Sequence, residues 1–454
     1  MGTDSKKPPT PPTEVSSAYR WYVLVLLTAV YTFNFIDRQI IGILSPAIKA
    51  DLGLSDWQLG ILKGFAFALI YTVLGIPIAR LADRMNRVKI ISVSLALWSG
   101  FTAISGAAQN FTHLALARVG VGIGEAGGSP PAHSLISDYF PKEKRAGALA
   151  FYAMGIPIGI AFAYLAGGWL TQVFSWRVAF VVIGLPGVLL ALLLVLTVKE
   201  RPRGAFDEAN GDPLANETDK EASIADIARQ EFVAAWNAAV HLLSIPTYRN
   251  VAIAGTAISF TGYASGGWIV DFYSRTHADF SILQVYFWLG IISGVCYAGG
   301  TFIGGRIVDH FAVKDKRMYG FVPAVALVLN APFFAISIWT ESPVVSLFFQ
   351  APVNLALGFY LGPMFALAQT LAPVRIRALS TAILFFIINI IALGFGPTSV
   401  GVISSLLTPS LGEGDALRWA LTMVSTSGIL AAWMFYRTGK SVPADWEQAT
   451  GEKA

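Results

Sequence analysis

RVGVGIGEAGGSPPA, residues 118–132, is the stretch whose reading decides the fold. It holds Gly122-x-Gly124-x-x-Gly127, the spacing of a dinucleotide-binding loop, yet it also carries Arg118 and Glu125 in an otherwise small, apolar run. A dinucleotide loop needs a strand before it, a helix after it and an acidic residue about twenty positions on, inside a soluble βαβ unit. The surroundings offer none of this. The 454-residue chain is 55% hydrophobic and 13% charged, whereas soluble domains run near 25% charged, and its mean hydropathy is +0.60. This is the composition of a membrane protein.

Runs of about twenty apolar residues, the length that crosses a hydrocarbon core of about 30 Å, fall near 20–46, 57–80, 88–108, 112–138, 146–171 and 177–198. The second half of the chain supplies 248–273, 284–308, 320–340, 343–371, 377–407 and 416–437. These segments are continuously apolar and lack the ten-residue alternation of a membrane barrel, so helices must satisfy their backbone groups. The quoted stretch lies within the fourth run. Its glycines are then expected to let helices approach closely or to leave room for a cavity, with Pro130-Pro131 breaking the helix a turn later. No cofactor is expected.

Lys and Arg set the orientation. With both termini inside, 25 basic residues fall on the inner side, 4 outside and 3, Arg38, Lys63 and Arg118, within spans; that asymmetry predicts an N-in, C-in topology. The net charge of +4 is therefore a topology signal, and no nucleic-acid partner is expected. The single cysteine, Cys296, excludes an intramolecular disulfide, and the five His stand in no metal-ligand spacing. The first 18 residues, Pro-rich and polar, read as a disordered cytosolic tail, and residues 438–454 as a cytosolic C-terminal tail.

The halves repeat. ARLADRMNRVK (79–89) after span 2 matches GRIVDHFAVKDKR (305–317) after span 8, placing Asp83 and Asp309 in short basic inner loops at an offset of 226. Pro141 to Ala146 is matched by Pro373 to Ala378 at an offset of 232, which also carries Pro131 onto Pro363. Ordered matches at nearly constant offset point to two parallel six-helix bundles, 19–198 and 248–437. Residues 199–247 form the linker between them. There Thr218-x-x-Glu221 has capping-box spacing, and apolar residues from Ile224 to Leu243 recur every three or four positions, predicting an amphipathic helix on the inner surface or under the bundle.

Two six-helix halves with a long central loop and acidic-basic inner loops resemble the major facilitator superfamily. Within it, FNFIDRQIIGILSPAIKADLGLSDWQLGIL and the following GFAFALIYTVLGIPIARLADR resemble the spinster-like transporters and their bacterial relatives. The resemblance implies an all-α integral membrane fold of twelve helices in two pseudo-symmetric bundles, a multi-pass protein of the bacterial inner membrane, and a monomer among membrane lipids. It also implies that spans 1 and 4 of each half line a central cavity, and that Asp83, Arg84, Arg87, Asp309, Arg145 and Arg377 belong to the loops that switch between conformations. Ala79 and Asn86 stand where the superfamily pattern has Gly.

At offset 232, Arg118 and Glu125 map onto Gln350 and Leu357, so these charges are not required by the scaffold. At about 1.5 Å per residue, Arg118 lies roughly 9 Å and Glu125 roughly 20 Å below the outer surface, and Asp37 lies about 25 Å along span 1 from the inner one. Each isolated charge at the bilayer centre costs at least about 3 kcal/mol. Two arrangements are expected: Arg118 exchanges between Asp37 and Glu125, or Glu125 sits alone and takes a proton from one side. A permanent buried pair that only sets helix register is the structural alternative. Arg38, about 100° round the helix from Asp37, balances charge or snorkels outward, and Lys63 reads as a snorkelling or gate residue.

With Asn34 beside the ionisable side of the cavity, Tyr263, Trp268, Asn354, Phe359 and Tyr360 predict an aromatic second side. Such asymmetry suits a small amphipathic substrate, in agreement with the lipid-like substrates of the family the chain resembles. No nucleotide-binding Gly-x-x-x-x-Gly-Lys loop is present, so a gradient supplies the energy. The expected function is a proton-coupled carrier of a lysolipid or sphingoid molecule by alternating access. The rivals are a multidrug or organic-cation proton antiporter and an organic-anion or sugar-phosphate carrier that reads its anion through Arg118 and Arg38. An enzyme or receptor would need a catalytic constellation or an appended soluble domain, and neither is found.

Overall fold

The computed structural model describes residues 16–203, 224–373 and 376–451, without the side chains of 76, 79–84, 142–143, 146, 224–232, 234 and 378. The described residues form helices and short connections. Span 1 is the helix Ser17–Leu52, span 2 is Asp56–Lys63 continued by Phe65–Arg84, and span 3 is Arg87–Ser105. Span 4 joins Phe111–Glu125 to Ser129–Tyr139, span 5 runs from Lys142–Ala153 through Gly155–Phe162 to Gly168–Val173, and span 6 is Trp176–Thr197. After a linker helix, Ile224–Ser244, come span 7 (Pro246–Thr276), span 8 (Ile282–Ile291 and Tyr297–Ala312), span 9 (Met318–Trp339) and span 10 (Pro343–Gly358 and Leu361–Thr370). Span 11 starts with Arg377–Ile388. The helix Gly396–Ser425 turns back at Gly412, whose φ of 76° suits glycine, so its first part completes span 11 and its second begins span 12. Span 12 ends with Ser427–Thr450.

Nine described stretches pass for crossings by length and apolarity, and the last of them, Leu379–Thr450, holds two. The two that fail are spans 4 and 7. These carry Arg118 and Glu125, and Asp271 and Arg275, so the weakest membrane signals mark the helices with most chemistry.

Lipid tails are as apolar as leucine, so close packing rather than a hydrophobic drive holds membrane helices together. The opening stretch shows how. A Cβ on Gly124 would lie 2.5 Å from the backbone N of Trp98, one on Gly120 would lie 2.5 Å from the Phe101 ring, and one on Gly122 would lie 2.9 Å from the Phe67 carbonyl oxygen. The glycine run is thus the surface on which span 4 meets spans 2 and 3. Turns of π-helix interrupt span 5 at Ala163–Gly167, span 8 at Ile292–Cys296 and span 11 at Asn389–Phe395, all three on helices at the contact between the halves.

Each half has its own staples. Arg87, buried at the inner end of span 3, donates to Glu200 (2.7 Å), Ser134 (2.8 Å), the Arg201 carbonyl (2.8 Å) and Asp138. It thereby ties spans 3, 4 and 6 together. Removing one partner of a buried ion pair costs about 3–5 kcal/mol, so Arg87→Ala is expected to lower the thermal unfolding midpoint in detergent; an unchanged midpoint would show that these bonds contribute nothing. In the second half the last helix runs on to Thr450, past residue 438, because Val442 and Trp446 are buried and Trp446 stacks on Tyr319 at 5.5 Å. The proposed capping box at Thr218 and Glu221 lies outside the described residues.

Candidate substrate and coupling site

Span 1 leads away from the inner side, the side on which both termini lie, while span 4 leads toward it. A helical side chain leans toward the N-terminus of its own helix, so Asp37 and Arg38 lean inward while Arg118 and Glu125 lean outward. Arg38 and Glu125 therefore meet: Arg38 Nε donates to Glu125 Oε2 at 2.7 Å, with Glu125 fully buried. Arg118 leans past the Asp37 carboxyl and donates to two backbone carbonyls, that of Asp37 at 3.2 Å and that of Leu62 at 3.4 Å. This corrects the expected partner. Glu125 is held by Arg38, which neither snorkels nor merely balances charge, and Arg118 holds backbone.

Asp37 is wholly buried, and its carboxyl makes no ion pair and no close hydrogen bond among the described residues. Thr102 and Trp98 are its polar neighbours, and Asn34 adjoins the Glu125 carboxyl. Aromatic rings enclose the guanidinium groups: Arg38 lies 4.6 Å from the Tyr71 ring centroid and 5.4 Å from that of Phe67, which also faces Arg118 at 5.1 Å. Tyr31 and Tyr263 complete the surroundings of Arg38, and Tyr31 stacks on Tyr152 with centroids 4.4 Å apart. Tyr31, Tyr71 and Tyr152 escaped the sequence reading because aromatic residues at helical spacing look alike in a core and in a cavity.

Other expected cavity residues are placed differently. Trp268 is fully buried, donates its indole N–H to the Pro397 carbonyl at 2.8 Å and lies under Lys63 Nζ at 3.5 Å, so it belongs to the outer seal. Tyr360 packs into the second half's core, where its hydroxyl bonds Ser259 at 3.0 Å. Phe359 packs on span 8, where its Cα would lie 2.7 Å from a Cβ on Gly304. Tyr263 faces Arg38, and Asn354 faces a separate pocket.

The outer ends are locked together. Asp271 of span 7 accepts from Lys63 Nζ at 2.6 Å and Ser45 Oγ at 2.5 Å, both from the first half. Asp56 accepts a two-pronged bond from Arg275 at 2.7 and 2.8 Å and another from Ser404 at 2.6 Å, while Lys49 bridges Asp56 and Glu413 at 3.1 and 2.8 Å. Among the described residues, the hydrogen bonds and ion pairs that join the halves all use residues 43–63 of the first half. The described state is thus closed on the outer side. Among the inner switch residues, Arg87 is bound within its half, Arg145 donates to the Ser137 carbonyl at 2.9 Å, and Asp309 and Arg377 are exposed. The side chains of Asp83 and Arg84 lie outside the described residues. No group of three His, Cys, Asp or Glu able to hold a metal occurs among the described residues.

The Major Facilitator Superfamily model matches residues 27–397. The chain belongs to that superfamily. It is 33% identical over 419 residues to an MFS-type efflux pump of Mycolicibacterium smegmatis, covering 91% of this chain and 92% of the relative. A crystal structure of a bacterial homologue of the human lysosomal transporter Spinster, inward-facing and unoccupied, superposes with a TM-score of 0.83 at 30% identity, covering 95% of this chain and 99% of the other. Spinster homolog 1 of Xenopus tropicalis is 25% identical over 464 residues, 96% of this chain and 84% of its own. The chain is a spinster-like transporter of this superfamily with a multi-pass membrane fold.

Proposed function

We propose that the protein is a proton-coupled carrier of an amphipathic, lipid-like molecule of lysolipid or sphingoid type, working as a monomer in the bacterial cytoplasmic membrane with both termini inside. The observation that carries this reading is the unequal pairing of two adjacent buried acids: Glu125 is ion-paired with Arg38 at 2.7 Å, while the Asp37 carboxyl has only the neutral donors Thr102 and Trp98 beside it and no ion pair among the described residues. A proton moving between them changes which acid Arg38 pairs with. In the closed state the proton resides on Asp37. When Glu125 takes a proton, Arg38 is released toward the neighbouring carboxyl. Arg38 and Ser45 lie seven residues apart on one helix, about two turns, and Ser45 holds the outer seal through Asp271. Span 1 thus links the exchange to the gate. The aromatic lining beside these charges suits a substrate with an ionisable head and an apolar tail.

The test is release of a fluorescent lysolipid from proteoliposomes under an imposed pH gradient, with a hydrophilic cation as control. Lysolipid movement driven by the gradient is the expected result. Movement of the cation alone would replace this reading with that of an organic-cation antiporter.

A further inference from the structure

A second cavity, of about 70 Å³, lies beside the ionisable centre and is lined by spans 7 to 10, with Tyr164 of span 5 closing one wall from the other half. No charged side chain lines it. Three amides do, and their orientations are dictated by what their nitrogens meet. Asn330 Nδ2 donates to the Val353 carbonyl at 3.0 Å, and Asn354 Nδ2 donates to the Gln350 carbonyl at 2.8 Å. Gln350 Nε2 donates to Ser337 Oγ at 2.8 Å, whose own proton goes to the Ser346 carbonyl at 3.1 Å. A carbonyl can only accept, so each amide must turn its nitrogen that way and its oxygen elsewhere. Among the described residues each amide is left with its oxygen and one N–H unpartnered, and the hydroxyls of Ser265 and Ser293, which both donate and accept, join them on the lining.

A neutral wall that both accepts and donates calls for a neutral ligand that does the same, as a hydroxyl does. An ammonium group would be buried there with no carboxylate on the lining, and an unpaired buried charge is costly. A neutral polyol meets the same acceptors without that cost. The backbone leaves room for it, since a Cβ added to Gly262 or Gly266, one turn apart on span 7, would meet no atom within 4 Å. Tyr263, on the same turn of span 7, interacts with Arg38, so one helix serves both the pocket and the coupling centre.

We propose that this pocket is a substrate subsite for a neutral, hydroxyl-bearing end of vicinal-diol type, of which a glycerol-headed lipid and a soluble polyhydroxy compound are the two sources. The inference rests on the amphipathic reading for the lipid source only. The experiment measures binding to the full chain in nanodiscs of monodecanoylglycerol, of methyl decanoate, which lacks the diol, and of gluconate. Wild type is expected to prefer monodecanoylglycerol over methyl decanoate by about tenfold, the worth of one or two net hydrogen bonds. The double variant Gly262→Ala/Gly266→Ala fills the space, and Ala suits a helix better than Gly. It is expected to keep or raise the unfolding midpoint while abolishing the preference, and Asn354→Leu to abolish it by removing one acceptor. An equal affinity for the two esters, or a preference that survives both variants, overturns the subsite and leaves the amphipathic reading standing. Gluconate binding that the variants remove, with neither ester bound, supports the subsite and overturns the amphipathic reading. No binding of any probe overturns both.

Discussion

Glu125→Gln is expected to abolish transport driven by a pH gradient while preserving exchange of substrate down its own gradient. The amide has nearly the shape of the acid, and its oxygen can still accept from Arg38 Nε, which lies 2.7 Å from the carboxylate. It cannot take up or release a proton. The guanidinium loses its counter-charge, a loss set at about 3–5 kcal/mol when one partner of a buried pair is removed, but Tyr71 at 4.6 Å and the nearby Asp37 carboxyl remain to receive it. The variant should therefore fold and bind. The measurement compares flux in proteoliposomes with and without an imposed gradient; a variant that still answers the gradient as wild type does would remove Glu125 from the coupling and leave its bond to Arg38 as a register device.

Lys63→Met is expected to open the outer side. Asp271 would keep only Ser45 at 2.5 Å and Arg275 at 3.5 Å, and it is fully buried. Losing the buried lysine from the pair penalises the closed state by about 3–5 kcal/mol, a shift of about two to four decades in the ratio of closed to open. Spin labels at Gln109, in the loop before span 4, and at Ser410, at the end of span 11, both exposed, would report it as a longer distance once Cys296 is replaced. Lys63→Met combined with Asp271→Leu removes both charges, so the double variant should lie closer to wild type than Lys63→Met alone. A distance distribution for Lys63→Met identical to wild type would show that the seal rests on packing, such as the approach of Gly64 to span 11, where a Cβ would lie 2.5 Å from the Gly394 carbonyl oxygen.

Much of this was legible beforehand, and the rest divides by cause. The partner of Glu125 was within reach of sequence reasoning: spans 1 and 4 run in opposite directions, so their side chains lean toward each other at Arg38 and Glu125 and away at Arg118. Depth alone, counted from the helix ends, set Arg118 level with Asp37 and left Glu125 to share that arginine or to stand alone. Asp56, Asp271 and Arg275 offered no such handle. Asp56 meets Arg275 across 219 positions and Lys63 meets Asp271 across 208, and each looks like an ordinary charge near a helix end.

The sequence by itself determined that twelve apolar helices cross the membrane in two related halves, because run length, basic asymmetry and the repeat each report on lipid and topology rather than on neighbours. It also singled out Asp37, Arg38, Lys63, Arg118 and Glu125 in the first half, since charges inside apolar runs are visible wherever their partners lie. The tertiary structure alone decided which of those charges meet, that Trp268 and Tyr360 serve packing rather than the cavity, that the outer side is shut, and that three amides line one pocket. Each depends on a side chain's direction and on a contact between helices far apart in the chain, and hydropathy and spacing carry no record of either.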